Sequence, residues 1–239
     1  MIEIIGHRGA SFDAPENTLA SIKEAFKQEA DGVEVDVRLT RDFQVICMHD
    51  SNALRTGKKD MEISQATEKE IRNINVAKYM KEWPKKEKAP SIKEVIELCR
   101  GKKLFIEIKT GIEIIDPLEE ILNIEINRKE DISIISFNEE VIKIVKSRFP
   151  WIKTNFLISI DHLSDSDLNA LPRKVLSMDV DGIGVQNHRK FNNKFINSFN
   201  GNIDIHVWTV DNPKEARKYR EMGLKSITTN VPKTIRAYS

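Results

Sequence analysis

Eight short apolar runs recur along this chain, each followed by a stretch with helical spacing. That alternation limits the fold more than anything else in the sequence. The runs fall near 3–6 (EIIG), 32–37 (GVEVDV), 103–108 (KLFIEI), 132–136 (ISIIS), 153–158 (KTNFLI), 181–185 (DGIGV), 203–208 (IDIHVW) and 225–228 (KSIT). Helical patterns lie at 17–29, 91–100, 116–126, 138–148, 164–177, 192–199, 212–222 and 231–237. Asn17, Ser91, Asn138 and Asp211 stand where a short polar side chain would accept the first free N–H groups of a helix. Eight β-then-α units in 239 residues predict the α/β class and a closed (β/α)8 barrel, a TIM barrel, as a single domain. An open doubly wound sheet would usually show a glycine-rich phosphate turn after its first strand, and "GHRGASFDAP" is not one.

A ninth run, 44–48 (QVICM), follows 32–37 too closely for a parallel crossover, which needs a dozen or more residues. It is expected to fold back antiparallel on the second strand. A turn centred on Arg41-Asp42 would pair positions summing to 83 and set Glu34 across from His49. Residues 50–90 are polar and lysine-rich, without a strong period, and read as an insertion.

Composition narrows the partners. A formal net charge of +1 gives no reason to expect nucleic acid or an anionic membrane. No run approaches the ~18 apolar residues of a membrane span, so no membrane insertion is expected. The N-terminus "MIEIIGHRGA" shows no basic segment and no long apolar segment of a secretory signal, which predicts a cytoplasmic protein. Cys47 and Cys99 fit no disulfide or zinc spacing and read as buried hydrophobes. The sequence sets no oligomeric state.

Strict alternation along Val33-Glu34-Val35-Asp36-Val37 puts both carboxylates on one face, toward the barrel interior. Glu107 and Lys109 share a face of the next barrel strand. Three carboxylates converging at one end of adjacent strands suit a hard divalent cation such as Mg2+ or Ca2+. The alternative is a set of internal ion pairs with Arg8, Arg38 and Lys109. His7 ends the first strand and His49, followed by Asp50, ends the antiparallel arm. Two histidines flanking a metal-bound phosphodiester could perform its two proton transfers, with Arg8 as a cationic fork for phosphate oxygens. His162 and His188 read as solvated or hydrogen-bonded loop residues, and His206 as a satisfied core histidine.

Taken in order, these pieces resemble the glycerophosphodiester phosphodiesterase family. The matching residues are His7-Arg8-Gly9, Pro15-Glu16-Asn17-Thr18, Glu34-Val35-Asp36-Val37 with Thr40 and Asp42, His49-Asp50, Glu107-Ile108-Lys109, Ser136-Phe137, "VWTVDN" at 207–212 and "ITTNVP" at 227–232. The resemblance implies a metal-dependent hydrolase that cleaves glycerophosphodiesters to sn-glycerol 3-phosphate and an alcohol. It implies His7 and His49 as the acid–base pair and Glu34, Asp36 and Glu107 as ligands of one divalent cation, Mg2+ or Ca2+. Arg8 and Lys109 would contact phosphate, and residues 50–90 would form a small cap. Trp208 either lines the site or packs in the core; Glu16 and Asn17 either touch the site or cap the first helix. Asn230 stands where the family often has aspartate, and is expected to bear on loop structure or substrate preference rather than on the chemistry. Two other readings remain: a phospholipase D-like enzyme acting on lysophospholipids, and a phosphate-ligand-binding barrel without turnover.

Overall fold

Every one of the eight apolar runs is a strand of one closed parallel sheet. The structure is a computed structural model and describes residues 2–124 and 131–238. The strands are β1 (Glu3–His7), β2 (Gly32–Leu39), the short antiparallel β3 (Val45–Cys47), β4 (Lys103–Ile108), β5 (Ile132–Ser136), β6 (Lys153–Ile158), β7 (Gly182–Gln186), β8 (Asp204–Trp208) and β9 (Ser226–Thr229). Their spatial order is β1-β9-β8-β7-β6-β5-β4-β2, and β1 pairs with β2 to close the barrel. This is the (β/α)8 architecture.

Each strand sorts its side chains by parity. Val33, Val35, Val37, Leu104 and Ile106 face outward and pack with the helices in one apolar layer. Ile5, Phe105, Ile135 and Leu157 face inward and plug the barrel beneath Trp208. A Cβ on Gly184 would fall 2.3 Å from Leu157 Cδ2, so the missing side chain makes room for that plug.

Helix starts follow the sequence with two shifts of one residue. Ser91 and Asn138 cap helices Ile92–Leu98 and Glu139–Arg148 as expected. Thr18, not Asn17, caps helix Leu19–Lys27, in a reciprocal pair with Ser21. Asn212, not Asp211, caps helix Pro213–Glu221. Asn17 and Asp211 are each held by a distant partner instead, Asp36 and Asn230. The helix expected over 116–126 spans Ile115–Ile124; its last two expected positions lie outside the described residues.

The arm forms, but its register is one residue from the expected one. Val37 pairs with Cys47, Arg38 with Ile46 and Leu39 with Val45, so paired positions sum to 84. The cause is the turn. Arg41-Asp42-Phe43 is a three-residue loop in which Phe43 takes a φ of 57°, closed by the Thr40 N–H on the Gln44 carbonyl. Continued regularly, this ladder would not oppose Glu34 and His49. The ladder stops at Cys47, the Met48 N–H bonds the Asp36 carbonyl, and the chain bends at His49. β3 occupies the edge of β2 that β1 leaves free beyond His7, because the other edge is held by β4. The chain leaving β3 therefore runs back toward the end of β1.

The insertion contains helices Leu54–Gly57 and Glu68–Arg72 and a small core of its own around Ile63, Ile71 and Ile74. Both cysteines are buried thiols, as expected. Among the described residues, no helix is long and apolar enough to cross a membrane.

Candidate active site

The first strand ends by turning sharply. Arg8 and Gly9 both take positive φ, 54° and 83°, and a Cβ on Gly9 would sit 2.4 Å from the Ser21 backbone. Only glycine fits there without displacing the first helix. The turn aims the Arg8 N–H at Glu34 Oε2, 3.0 Å away, and folds the Arg8 side chain back over the barrel mouth.

A cavity of about 290 Å³ opens at this C-terminal end of the strands. His7, Arg8, Glu34, His49, Glu107, Lys109 and Trp208 all line it. Asp36 does not line it but is fully buried beside Glu34 and Glu107, and Glu16 stands behind Arg8 rather than in the wall. The opposite wall is apolar: Ile135, Phe137, Leu157 and Trp208. Phe137 meets Trp208 edge-to-face at 5.4 Å, with the Lys109 ammonium 5.7 Å from its ring centre.

Glu34, Asp36 and Glu107 are 3%, 0% and 8% exposed, and each offers a ligand oxygen within 4.8 Å of the others. Their surroundings divide the charge unequally. Burial, Asp36 and Glu107 push the Glu34 carboxyl well above its usual range. Burial and Asp36 raise Glu107 to about 7, against the pull of Lys109. Burial would also raise Asp36, but Arg8 at 3.1 Å and the Asn17 amide hold it below its usual value. Some of the internal ion pairs considered from sequence do form: Arg8–Asp36, and Lys109–Glu107 at 2.7 Å. Arg38 does not join them; its Nε–H donates to the His49 carbonyl. Among the described residues, the pairs leave Glu34 Oε1 and Asp36 Oδ1 buried with no hydrogen bond. Such orphaned carboxylate oxygens are costly, and an all-oxygen set of this size fits a hard divalent cation.

Both histidines are anchored in the same sense. His7 Nδ1–H donates to Asn230 Oδ1 at 2.6 Å, and His49 Nδ1–H donates to Asp50 Oδ1 at 2.8 Å. Each anchor leaves Nε2 as the nitrogen with the free lone pair, and His7 Nε2 stands 4.0 Å from Glu34 Oε2. Burial, with Arg8 beside it, lowers the His7 pKa below its ordinary value.

Asn230 therefore has a place in the site that sequence reasoning does not give it. Its Oδ1 orients His7 and its Nδ2–H donates to Asp211 Oδ2 at 2.6 Å. The sequence leaves Asn17 as either a cap or a site residue, and it holds Asp36 from both sides of its amide, at 2.8 and 3.0 Å. Neither Phe137 nor Arg55 is singled out by sequence as a site residue. Phe137 stands in the quoted Ser136-Phe137 pair, whereas Arg55 carries no signal beyond being a cation six residues past His49.

His206 is buried and satisfied, with Nδ1 2.7 Å from Ser226 Oγ, and also forms part of the cavity floor. Burial, with His7 nearby, pushes its pKa down to about 3. In the unfolded chain it would titrate near 6.5, so between these values the unfolded state binds the extra proton. The stabilising effect is full above about pH 6.5 and falls, by up to about 1.4 kcal/mol per pH unit, as the pH drops toward 3. Urea unfolding is expected to show His206 costing about 2 kcal/mol at pH 5 relative to pH 7. The pH dependence should flatten by that amount in His206→Gln; an unchanged slope would remove His206 as its cause.

The closed barrel gathers acidic, cationic and imidazole groups at the C-terminal ends of its strands, the face at which (β/α)8 enzymes carry their active sites. The glycerophosphoryl diester phosphodiesterase family model matches residues 7–234, and the chain belongs to that family of phosphoric diester hydrolases. It is similar to the glycerophosphodiester phosphodiesterase of Caldanaerobacter subterraneus subsp. tengcongensis, 30% identical over 241 residues, covering 97% of this chain and 95% of that one. The solved glycerophosphodiester phosphodiesterase of Thermotoga maritima superposes with a TM-score of 0.82 at 26% identity, covering 100% of this chain and 99% of that one. An Oleispira antarctica phosphodiesterase, solved in complex with the product sn-glycerol-3-phosphate, has the same fold: TM-score 0.87, 24% identity, 99% and 96% covered.

Proposed function

We propose that this enzyme hydrolyses glycerophosphodiesters to sn-glycerol 3-phosphate and an alcohol, in the cytoplasm, with the whole chain as one domain. The observation that carries the reading is the buried triad Glu34, Asp36 and Glu107 beside two histidines anchored through Nδ1. The triad would hold one divalent cation, Mg2+ or Ca2+, which supplies charge stabilisation for the phosphoryl oxygens. Arg8 and Lys109 bind the anionic oxygens from the same side. One histidine takes a proton from the attacking oxygen and the other delivers a proton to the leaving alkoxide; water supplies the oxygen gained by the phosphate and the protons of the net hydrolysis. Each transfer is worth roughly 10²–10⁴-fold, about 3–5 kcal/mol. Phosphate-ester hydrolysis demands up to about 23 kcal/mol or more, so Arg8, Lys109 and the metal site must supply the larger share.

A small soluble diester suits the cavity better than a lysophospholipid. Its volume of about 290 Å³ is modest, and its apolar wall comes from barrel residues; none of Leu54, Met61, Tyr79, Met80 and Trp83 of the insertion lines it. A panel of glycerophosphodiesters and lysophospholipids, assayed with Mg2+ and with Ca2+ for release of the headgroup alcohol, with glycerol 3-phosphate as the second product of the glycerophosphodiesters, tests both points. Turnover of glycerophosphocholine or glycerophosphoethanolamine above lysolipid is expected. Turnover of lysolipid far above them would favour the lipid reading, and bound metal with no turnover would favour a binding barrel.

A further inference from the structure

The insertion reaches the site through the guanidinium of Arg55 and, on the same loop, through the Tyr79 hydroxyl. Arg55, on the one-turn helix Leu54–Gly57, donates from all three nitrogens. Nη1–H goes to Glu16 Oε2 at 2.7 Å, Nη2–H to Glu16 Oε1 at 2.7 Å, and Nε–H to Asp50 Oδ2 at 2.6 Å. Both acceptors are one bond from the proposed chemistry. The other oxygen of Asp50 anchors His49 Nδ1–H, and Glu16 Oε1 also accepts from Arg8 Nη1 at 3.0 Å. Arg8 in turn lies 3.1 Å from Asp36. A continuous chain of contacts therefore runs His49–Asp50–Arg55–Glu16–Arg8–Asp36.

We propose that Arg55 is a positioning residue that sets His49 and Arg8 in mutual register, making the insertion a strut for the site rather than a lid over it. The inference rests on the function proposed above. Asp50 and His49 are each about one-third exposed, so packing alone does not fix them. A carboxylate free to rotate would let the imidazole exchange tautomers and swing; a carboxylate clamped by a planar fork does not. Lysine cannot reproduce three directed bonds from three nitrogens. The same fork closes over both oxygens of Glu16, which leaves that carboxylate no freedom to release Arg8. The insertion has a second tie to the same loop, through the Tyr79 hydroxyl, which accepts the Glu16 N–H at 2.7 Å. That tie bypasses Asp50 and His49, and so provides the control for mere docking of the insertion.

The test compares Arg55→Lys, Tyr79→Phe, Asp50→Asn and the double variant Arg55→Lys/Asp50→Asn in kcat and KM for a glycerophosphodiester. Arg55→Lys is expected to lower kcat by about 10–100-fold, a loss typical of outer-shell partners. Tyr79→Phe is expected to stay within about threefold of wild type, since it loosens the insertion without touching His49. In the Asp50→Asn background the further cost of Arg55→Lys should be smaller than in wild type, because the path to His49 is already cut and only the path through Glu16 to Arg8 remains. An Arg55→Lys kcat within threefold of wild type overturns the proposal. So does an Arg55→Lys loss as large in the Asp50→Asn background as in wild type. If wild type turns over no glycerophosphodiester, the function falls and the positioning role is read from imidazole ¹⁵N spectra. A single Nδ1–H tautomer of His49 in wild type that becomes averaged in Arg55→Lys supports the role; identical spectra refute it.

Discussion

Replacing His49 with alanine is expected to lower kcat by about 10²–10⁴-fold and leave the fold intact. The two halves of this expectation have separate physical causes. The catalytic half follows from geometry: Nδ1–H is spent on Asp50, and Nε2 is left for the proton transfer. The structural half follows from where His49 sits. It lies beyond the last paired residue of β3, packs in no apolar cluster, and contributes its backbone carbonyl to Arg38, a bond that alanine keeps. Thermal and urea unfolding of His49→Ala should therefore match wild type within about 1 kcal/mol. Activity within tenfold of wild type would remove His49 from the chemistry.

Glu34→Gln is expected to be about as severe, for a different reason. Glutamine keeps an oxygen for the Arg8 N–H but removes a full charge from a buried three-carboxylate set. Chelation should abolish wild-type activity, and metal at a hundred times its Kd should stabilise wild type by about 2.7 kcal/mol and the glutamine variant by much less. Without metal the order reverses. The Glu34 carboxyl is raised by burial and by its two acidic neighbours, so its ionised form costs stability above the unfolded carboxylate range. Glutamine carries no such cost, and metal-free Glu34→Gln should unfold later than metal-free wild type at pH 7. Near-normal activity of Glu34→Gln in EDTA would defeat the metal assignment.

The barrel was legible because each strand must bury both faces, which writes a short apolar run into the sequence whatever its neighbours do. The inward carboxylates were legible for the same reason: Glu34 and Asp36 interrupt a valine strand at period two. Features decided by a single backbone angle or a distant partner were not. Phe43 at positive φ adds a residue to the hairpin turn, and nothing in its side chain announces that conformation. Asn17 and Thr18 can both cap a helix, and Asp36, nineteen residues away, takes Asn17 out of the competition. Asp211 is taken from its helix in the same way by Asn230, which also turns a departure from the family pattern into the anchor of His7. Arg55 lies in a polar segment with no period, where only the folded chain brings it to Glu16 and Asp50.

The central claim is that Glu34, Asp36 and Glu107 hold a divalent cation between His7 and His49. The most direct measurement is an anomalous difference map from crystals of the enzyme grown with Mn2+. The account predicts one strong peak within about 2.0–2.6 Å of an oxygen from each of the three carboxylates, lost in Glu34→Gln. A peak elsewhere, or an active enzyme with none at the triad, would contradict it.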